Sequence, residues 1–309
     1  MRVLVTGATG FVGSHLVDVL LHDGHDVFAL VRSIAKADFL EKKGVTLILG
    51  SLDSDFNLPP VDAVIHLAGQ IKALSNDDFY RTNTEGTKRL LASLQNQKLK
   101  KFVFVSSISA RGAARFEGDT EGAGPVSHYG KSKAAAEKLV MASRFPVVVF
   151  RPPVVYGPRD LETLVFFKFF KKGFFPVPGH AGNRISFIFV EDLARMLSKS
   201  LTAGEGPGPF SLSCRREGYG WDEVCHIGQE IQGKKIRLVV VPLWIMAVAA
   251  WINQCWFRIV KKEAPILSLD KFQEMKQSNW ACYEGRTAPT GLKEGFQKTF
   301  AWYEKEKRL

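Results

Sequence analysis

Cysteine is scarce in this chain of 309 residues: Cys214, Cys225, Cys255 and Cys282 lie far apart, and no two form a CxxC pair. That spacing matches neither a zinc site nor a disulfide framework, so reduced thiols, a cytoplasmic setting and no bound metal are expected. The apolar start, Met1 to Leu4, has no basic segment and no small-residue cleavage site, which argues against a secretory signal peptide. Long uninterrupted apolar runs are also missing. The nearest, Val241 to Phe257, is opened by Pro242 and broken by Asn253 and Gln254, which argues against a membrane span. Lysine and arginine outnumber aspartate and glutamate by 42 to 31, yet the basic residues are scattered. They cluster only in pairs such as Lys42-Lys43, Lys171-Lys172, Lys234-Lys235 and Lys261-Lys262, and none forms a helix able to read bases. No nucleic-acid partner is expected. The net charge of +11 points instead to an anionic cofactor or an anionic membrane surface.

What is present begins at the N-terminus, where Val3-Leu4-Val5 runs into Thr6-Gly7-Ala8-Thr9-Gly10-Phe11-Val12-Gly13. A buried strand ends there and an amphipathic helix, Phe11 to Asp23, begins. Gly7 and Gly10 allow a tight turn and close approach to a diphosphate, and Gly13 allows the helix to pack on the strand. The helix N-terminus, with its free N–H groups and positive dipole end, attracts phosphate. The pattern predicts dinucleotide binding. A second strand, Val27 to Val31, ends in Arg32 with no acid at either position. A carboxylate there would hold the ribose 2′-hydroxyl of NAD; an arginine, helped by Lys36, suits the 2′-phosphate of NADP.

Further strands are expected at Val45 to Leu49, Ala63 to His66 and Phe102 to Val105, the last running into Ser106-Ser107. Between them the pattern predicts a long helix from about Asp77 to Gln97, with Gly86 kept for close packing at a cost of about 1 kcal/mol relative to alanine. Strands alternating with helices at this spacing imply right-handed crossovers and a parallel sheet with 46% apolar residues to fill its core. His66 is expected to be a packed, hydrogen-bonded histidine. The small residues after it, Leu67-Ala68-Gly69, would let the backbone approach the cofactor.

Tyr129-Gly130-Lys131-Ser132-Lys133 opens another helix, with Tyr129 and Lys133 on one face. A free tyrosine titrates near 10, and a neighbouring ammonium favours its phenolate. Ser107 at a strand end is suited to bind a substrate oxygen. With these three residues in view, the chain resembles an extended short-chain dehydrogenase/reductase. The resemblance is carried by Thr6 to Gly13, His66 to Gly69, Asn83 to Thr87, Ser106-Ser107, Tyr129 to Lys133 and Arg151 to Pro158. It implies Ser107, Tyr129 and Lys133 as the catalytic set. It further implies a cofactor site from Gly7, Thr9, Gly10, Phe11, Val12, Arg32, Leu52, Leu67, Ala68, Gly69, Asn83, Tyr129, Lys133, Pro152 and Val154, and no metal. Ser51 departs from the pattern, since relatives often place an aspartate there against the adenine.

The implied architecture is α/β: a doubly wound parallel-sheet Rossmann unit, residues 1–155 and 184–203, with a substrate lobe from 156–183 and 204–309. Asn279-Trp280, Leu292 to Gly295 and Thr299 to Tyr303 are similar to the tail of bacterial dihydroflavonol reductases and 3β-hydroxysteroid dehydrogenases. That similarity implies an NADP(H)-dependent oxidoreductase acting on a small, apolar or aromatic carbonyl or alcohol. A nucleotide-sugar epimerase or dehydratase with tightly bound NAD(H) shares every catalytic residue and stays open, as does a non-catalytic NADP sensor. Helices near Asp77 to Gln97 and Ser127 to Ser143 offer a homodimer interface by the same resemblance. Phe166 to Phe175 and Trp244 to Phe257 are expected to line the substrate pocket or pack in its lobe. For the second segment a seat on a membrane surface is the further alternative, because its tryptophans are followed by Arg258, Lys261 and Lys262.

Overall fold

The computed structural model describes residues 1–54, 56–260 and 267–309. Lys261 and Lys262 and the side chain of Arg258 lie outside the described residues. The strands β1 (Arg2–Thr6), β2 (Asp26–Val31), β3 (Thr46–Leu49), β4 (Ala63–His66), β5 (Lys101–Val105) and β6 (Val147–Arg151) lie side by side in the order β6-β5-β4-β1-β2-β3. Every pairing is parallel, and the order reverses between β1 and β4. The helices α1 (Phe11–His22) and α2 (Ile34–Glu41) follow β1 and β2. A three-part helix lies between β4 and β5: α3 (Asn76–Phe79), a π-helical turn over Tyr80–Glu85, and α4 (Gly86–Ser93). The short α5 (Ile108–Arg111) and then α6 (His128–Met141) lead back to β6.

The alternation of β1 divides the core into two layers. Val3 and Val5 pack with Leu16, Val17 and Leu20 of α1 on one face, whereas Leu4 packs with Leu90, Leu94, Ala136 and Val140 on the other. Both faces of the sheet are thus covered, which is why its strands read as continuous apolar runs. The helix expected over Asp77 to Gln97 is broken in character by its π turn and stops at Ser93. Leu52 abuts Gly86, where a Cβ would lie 3.0 Å from the Leu52 Cβ, and this supplies the packing reason for glycine.

Beyond β6 the chain leaves and re-enters the sheet. β7 (Val154–Tyr156), α7 (Leu164–Lys172), β8 (Phe174–Pro178), β9 (Arg184–Ile185), β10 (Phe187–Phe189) and α8 (Val190–Lys199) precede β11 (Phe210–Ser213). Then come β12 (Tyr219–Gly220), α9 (Trp221–Gln232), β13 (Arg237–Val241), α10 (Leu243–Val260), α11 (Leu269–Met275), β14 (Asn279–Trp280), β15 (Gly285–Thr287) and α12 (Leu292–Lys305). α8 packs against α1 and covers the same face of the sheet. β11 and β15 add to β6 as the seventh and eighth strands, so the sheet reaches past residue 204 into the segment assigned to the lobe. The lobe has its own aromatic core. Phe167, Phe170 and Phe175 are fully buried there against Trp221, Phe296 and Tyr303. Burial of these rings stabilises the lobe, in line with packing, one of the two roles expected for Phe166 to Phe175.

Candidate active site

The glycine turn has the backbone its sequence demands. Gly7 adopts φ +76°, and a Cβ on it would lie 2.8 Å from the Ala68 nitrogen; one on Gly13 would lie 2.1 Å from the Gly7 carbonyl oxygen. Gly10 is the N-cap residue of α1, which has no side-chain cap and no acid in its first turn. Its N–H groups are therefore available to an anion. Beside them a cleft of about 360 Å³ is lined by Thr9, Gly10, Phe11 and Ser14 together with Phe39, Lys43 and Arg159. Lys43 and Arg159 both pair with Asp18, Arg159 at 2.8 Å. These two cations were not legible in advance, because α2 and the loop after β7 bring them in from distant positions. Arg32 sits exposed just beyond β2, outside that cleft, and Ser33 after it caps α2.

At the adjoining strand ends, His66 is fully buried between two threonines. Its Nδ1 is 2.6 Å from Thr6 Oγ1 and its Nε2 is 2.9 Å from Thr87 Oγ1, while Thr87 donates to the Asn83 carbonyl at 2.6 Å. Because Thr87 commits its proton to Asn83, the histidine must donate from Nε2 and accept at Nδ1. Burial, with a smaller contribution from Lys133, lowers its pKa to about 3 and keeps the ring neutral. Thr6 Oγ1 also accepts from the Ala68 N–H at 3.2 Å, which fixes the Leu67-Ala68-Gly69 turn over the sheet edge. Asn83 is buried, and its amide is engaged by Gln70 N and O and by Ser132 Oγ, at 2.7 to 3.0 Å. It acts here as a tether between that turn and α6. Leu52 and Pro152 are buried; Gly69 is exposed, and Leu67, Val12 and Val154 are half-buried.

Ser107 follows the carboxyl end of β5, and Tyr129 and Lys133 lie one turn apart on α6. Lys133 Nζ donates to the Val105 carbonyl at 2.7 Å and lies 4.4 Å from the centre of the Phe104 ring. A Cβ on Gly69 would lie 3.6 Å from the same nitrogen. Burial pulls the Lys133 ammonium down to about 8, with Glu137 opposing. Glu137 is itself clamped by Arg151 through bonds of 2.8 and 2.5 Å that tie α6 to β6. Burial raises the Tyr129 hydroxyl above its usual value, and hydrogen bonding to Ser107 is the largest opposing influence. The lysine that lowers Tyr129 is Lys271 rather than the expected Lys133.

Lys271 arrives on α11, which docks on the N-terminus of α6. The Asp270 carboxylate accepts from the backbone N–H groups of His128 at 2.6 Å and Tyr129 at 3.2 Å. Ser127 Oγ accepts from Gly130 N–H at 2.9 Å and donates to the buried Glu274 carboxylate at 2.7 Å, which also pairs with Lys271 at 2.8 Å. These charges attract the positive end of α6 and fix the first turn that carries Tyr129. Sequence reasoning missed all three residues, since a contact spanning some 140 positions leaves no periodic trace.

A phosphate-ready helix N-terminus and a turn too crowded for a Cβ, at the head of a parallel sheet, are features of a nicotinamide-dinucleotide oxidoreductase of the extended short-chain dehydrogenase/reductase class. The chain belongs to the NAD dependent epimerase/dehydratase family, whose model matches residues 3–212. It is 32% identical to a ceramide reductase of Caulobacter vibrioides over 97% of this chain and 94% of that protein. It is 25% identical to a UDP-glucose 4-epimerase of Vibrio cholerae, over 96% of this chain and 94% of that one. Among solved structures, the UDP-glucose 4-epimerase of Thermus thermophilus in complex with NAD superposes with a TM-score of 0.71. It is 25% identical and covers 98% of this chain and 99% of its own.

Proposed function

We propose that the chain is an NADP(H)-dependent oxidoreductase that interconverts a ketone or aldehyde with its alcohol on an apolar substrate. The observation that carries this is the hydrogen bonding of Ser107 with the Tyr129 hydroxyl past the carboxyl end of β5, where Lys133 Nζ is held on the Val105 carbonyl. The bound nicotinamide supplies or accepts the hydride. Tyr129 gives its proton to the carbonyl oxygen on reduction and takes it back on oxidation. Ser107 donates a hydrogen bond to that oxygen as charge develops on it. Lys133 keeps two further N–H bonds beyond the one to Val105, suited to ribose hydroxyls. Phosphates fit the N-terminus of α1, with Lys43 and Arg159 as the cations that line the cleft beside it. Residues 1–155 and 184–203, extended by β11 and β15, form the dinucleotide unit in this reading, and most of the remainder forms the substrate lobe.

The preference for NADP rests on Arg32, exposed at the end of β2 where a carboxylate would select NAD. The apolar substrate is supported by the similarity to ceramide reductase, whose name denotes a lipid. The competing reading, a nucleotide-sugar epimerase, is supported by the similarity to the Vibrio protein and leaves the same residues in place. A titration separates them. Wild-type protein is expected to bind NADP more tightly than NAD and to oxidise NADPH with a long-chain ketone, and Arg32→Asp to weaken NADP more than NAD. Tight binding of a UDP-sugar, with NAD retained through purification and no turnover of apolar carbonyls, would reverse the assignment.

A further inference from the structure

The helix α10 is amphipathic in the inverse sense for a protein in water. Its inward face holds the polar groups: the Gln254 side chain accepts from Leu269 N–H at 3.1 Å, Asn253 donates to the Leu267 carbonyl at 3.4 Å, and Ala250 is fully buried beside them. Its outward face carries Trp244, Ile245, Val248, Trp251, Ile252 and Trp256, spaced by helical periodicity, with the three tryptophans 70%, 59% and 63% exposed. A surface helix normally turns these residues inward. The strand leading into it, β13, continues the surface with exposed Val239 and Val240. At 18 residues the helix is about 27 Å long, and no helix among the described residues is long and apolar enough to cross a membrane.

The charge carried by β13 and α10 and the turn before them has one sign. β13 pairs in parallel with β8, so the exposed Lys234, Lys235 and Arg237 at its start adjoin the exposed Lys171 and Lys172 at the end of α7. Lys234 reaches the Lys171 carbonyl. No aspartate or glutamate occurs in the sequence from residue 231 to 262. A second copy of this chain laid face to face would therefore bring cations against cations with no carboxylate from this segment to pair them. Tryptophans beside lysines, flanking an aliphatic stripe, complement a bilayer surface of acyl chains under anionic headgroups. We propose that α10 and β13 form a docking surface for an anionic lipid bilayer, with the tryptophans set into the headgroup boundary and the lysine cluster held to its charge. The proposal stands independently of the carbonyl-reductase reading.

The test uses the full chain and vesicles of phosphatidylcholine with or without phosphatidylglycerol. Wild-type protein is expected to co-sediment with the anionic vesicles, with tryptophan emission shifted to the blue and quenched by brominated acyl chains. Trp244→Ser with Trp251→Ser should weaken this partition on the order of tenfold or more, because both indoles lose their apolar seat. Lys171→Ala with Lys172→Ala should weaken binding to the anionic vesicles while leaving α10 untouched. Nucleotide binding by each variant reports that the fold survives. Protein that stays in the supernatant with both vesicles overturns the proposal. So does a concentration-dependent dimer, read by sedimentation velocity, that Trp251→Asp abolishes. Equal binding to neutral vesicles overturns the electrostatic part.

Discussion

His66 at the end of β4 and Tyr129 in the first turn of α6 are governed by the same cause, burial, with opposite consequences for charge. Burial holds the imidazole neutral with a folded pKa of about 3, below the ordinary 6.5. Between these values the unfolded chain binds a proton that the folded chain refuses, so this contribution is present above pH 6.5 and is lost as pH falls toward 3. One proton corresponds to a slope of about 1.4 kcal/mol per pH unit. Urea unfolding from about pH 4 to 6 is expected to show this slope, and a His66→Asn variant should lose it; identical slopes would refute the assignment. Tyr129 is held protonated, as suits an acid in the reducing direction. Tyr129→Phe keeps the ring 6.1 Å from Phe79 but removes the proton, so turnover should fall by a factor of about 10² to 10⁴ with nucleotide affinity preserved. Unchanged turnover with a carbonyl substrate would remove Tyr129 from the mechanism.

Among the elements, α11 has the largest leverage for its length. Seven residues supply Asp270 to two backbone N–H groups, Glu274 to Ser127, and a Lys271–Glu274 pair that Tyr129 senses from both sides. Glu274 raises the Tyr129 pKa and Lys271 lowers it. Glu274→Gln keeps an acceptor for the Ser127 hydroxyl and removes only the negative charge. The Tyr129 pKa should then fall, and the pH profile of alcohol oxidation should move to lower pH. Loss of the charged hydrogen bonds should also cost about 1 to 3 kcal/mol, visible as a lower unfolding midpoint. A profile that does not move would mean that α11 supports the fold without touching the proton transfer.

At the scale of the whole molecule, what could be read in advance was what local rules dictate. The order of strands and helices through β6, the glycine turn at Gly7 to Gly13 and the placement of Tyr129 and Lys133 one turn apart on α6 all follow from periods of about two and 3.6 residues and from φ at one glycine. The π turn at Tyr80–Glu85 escaped because nothing in its residues separates a π turn from an α-helical one. The roles of Lys43, Arg159 and Asp270 escaped because packing brings them in across long stretches of chain. The apolar segment 241–257 was legible as unusual, but its direction was not: only packing decides that Asn253 and Gln254 face the protein and the tryptophans face out.

The seventh and eighth strands of the sheet come late in the chain, and this sets an order on its making. Translation completes β6 roughly sixty residues before β11 exists, which at about 5 to 20 residues per second is about 3 to 12 s. During that interval the edge of β6 has no neighbour, and its N–H and C=O groups are open to any passing strand. The nascent polypeptide must therefore carry an unguarded sheet border while it waits on the ribosome for Phe210–Ser213, and longer still for Gly285–Thr287 to close the new edge.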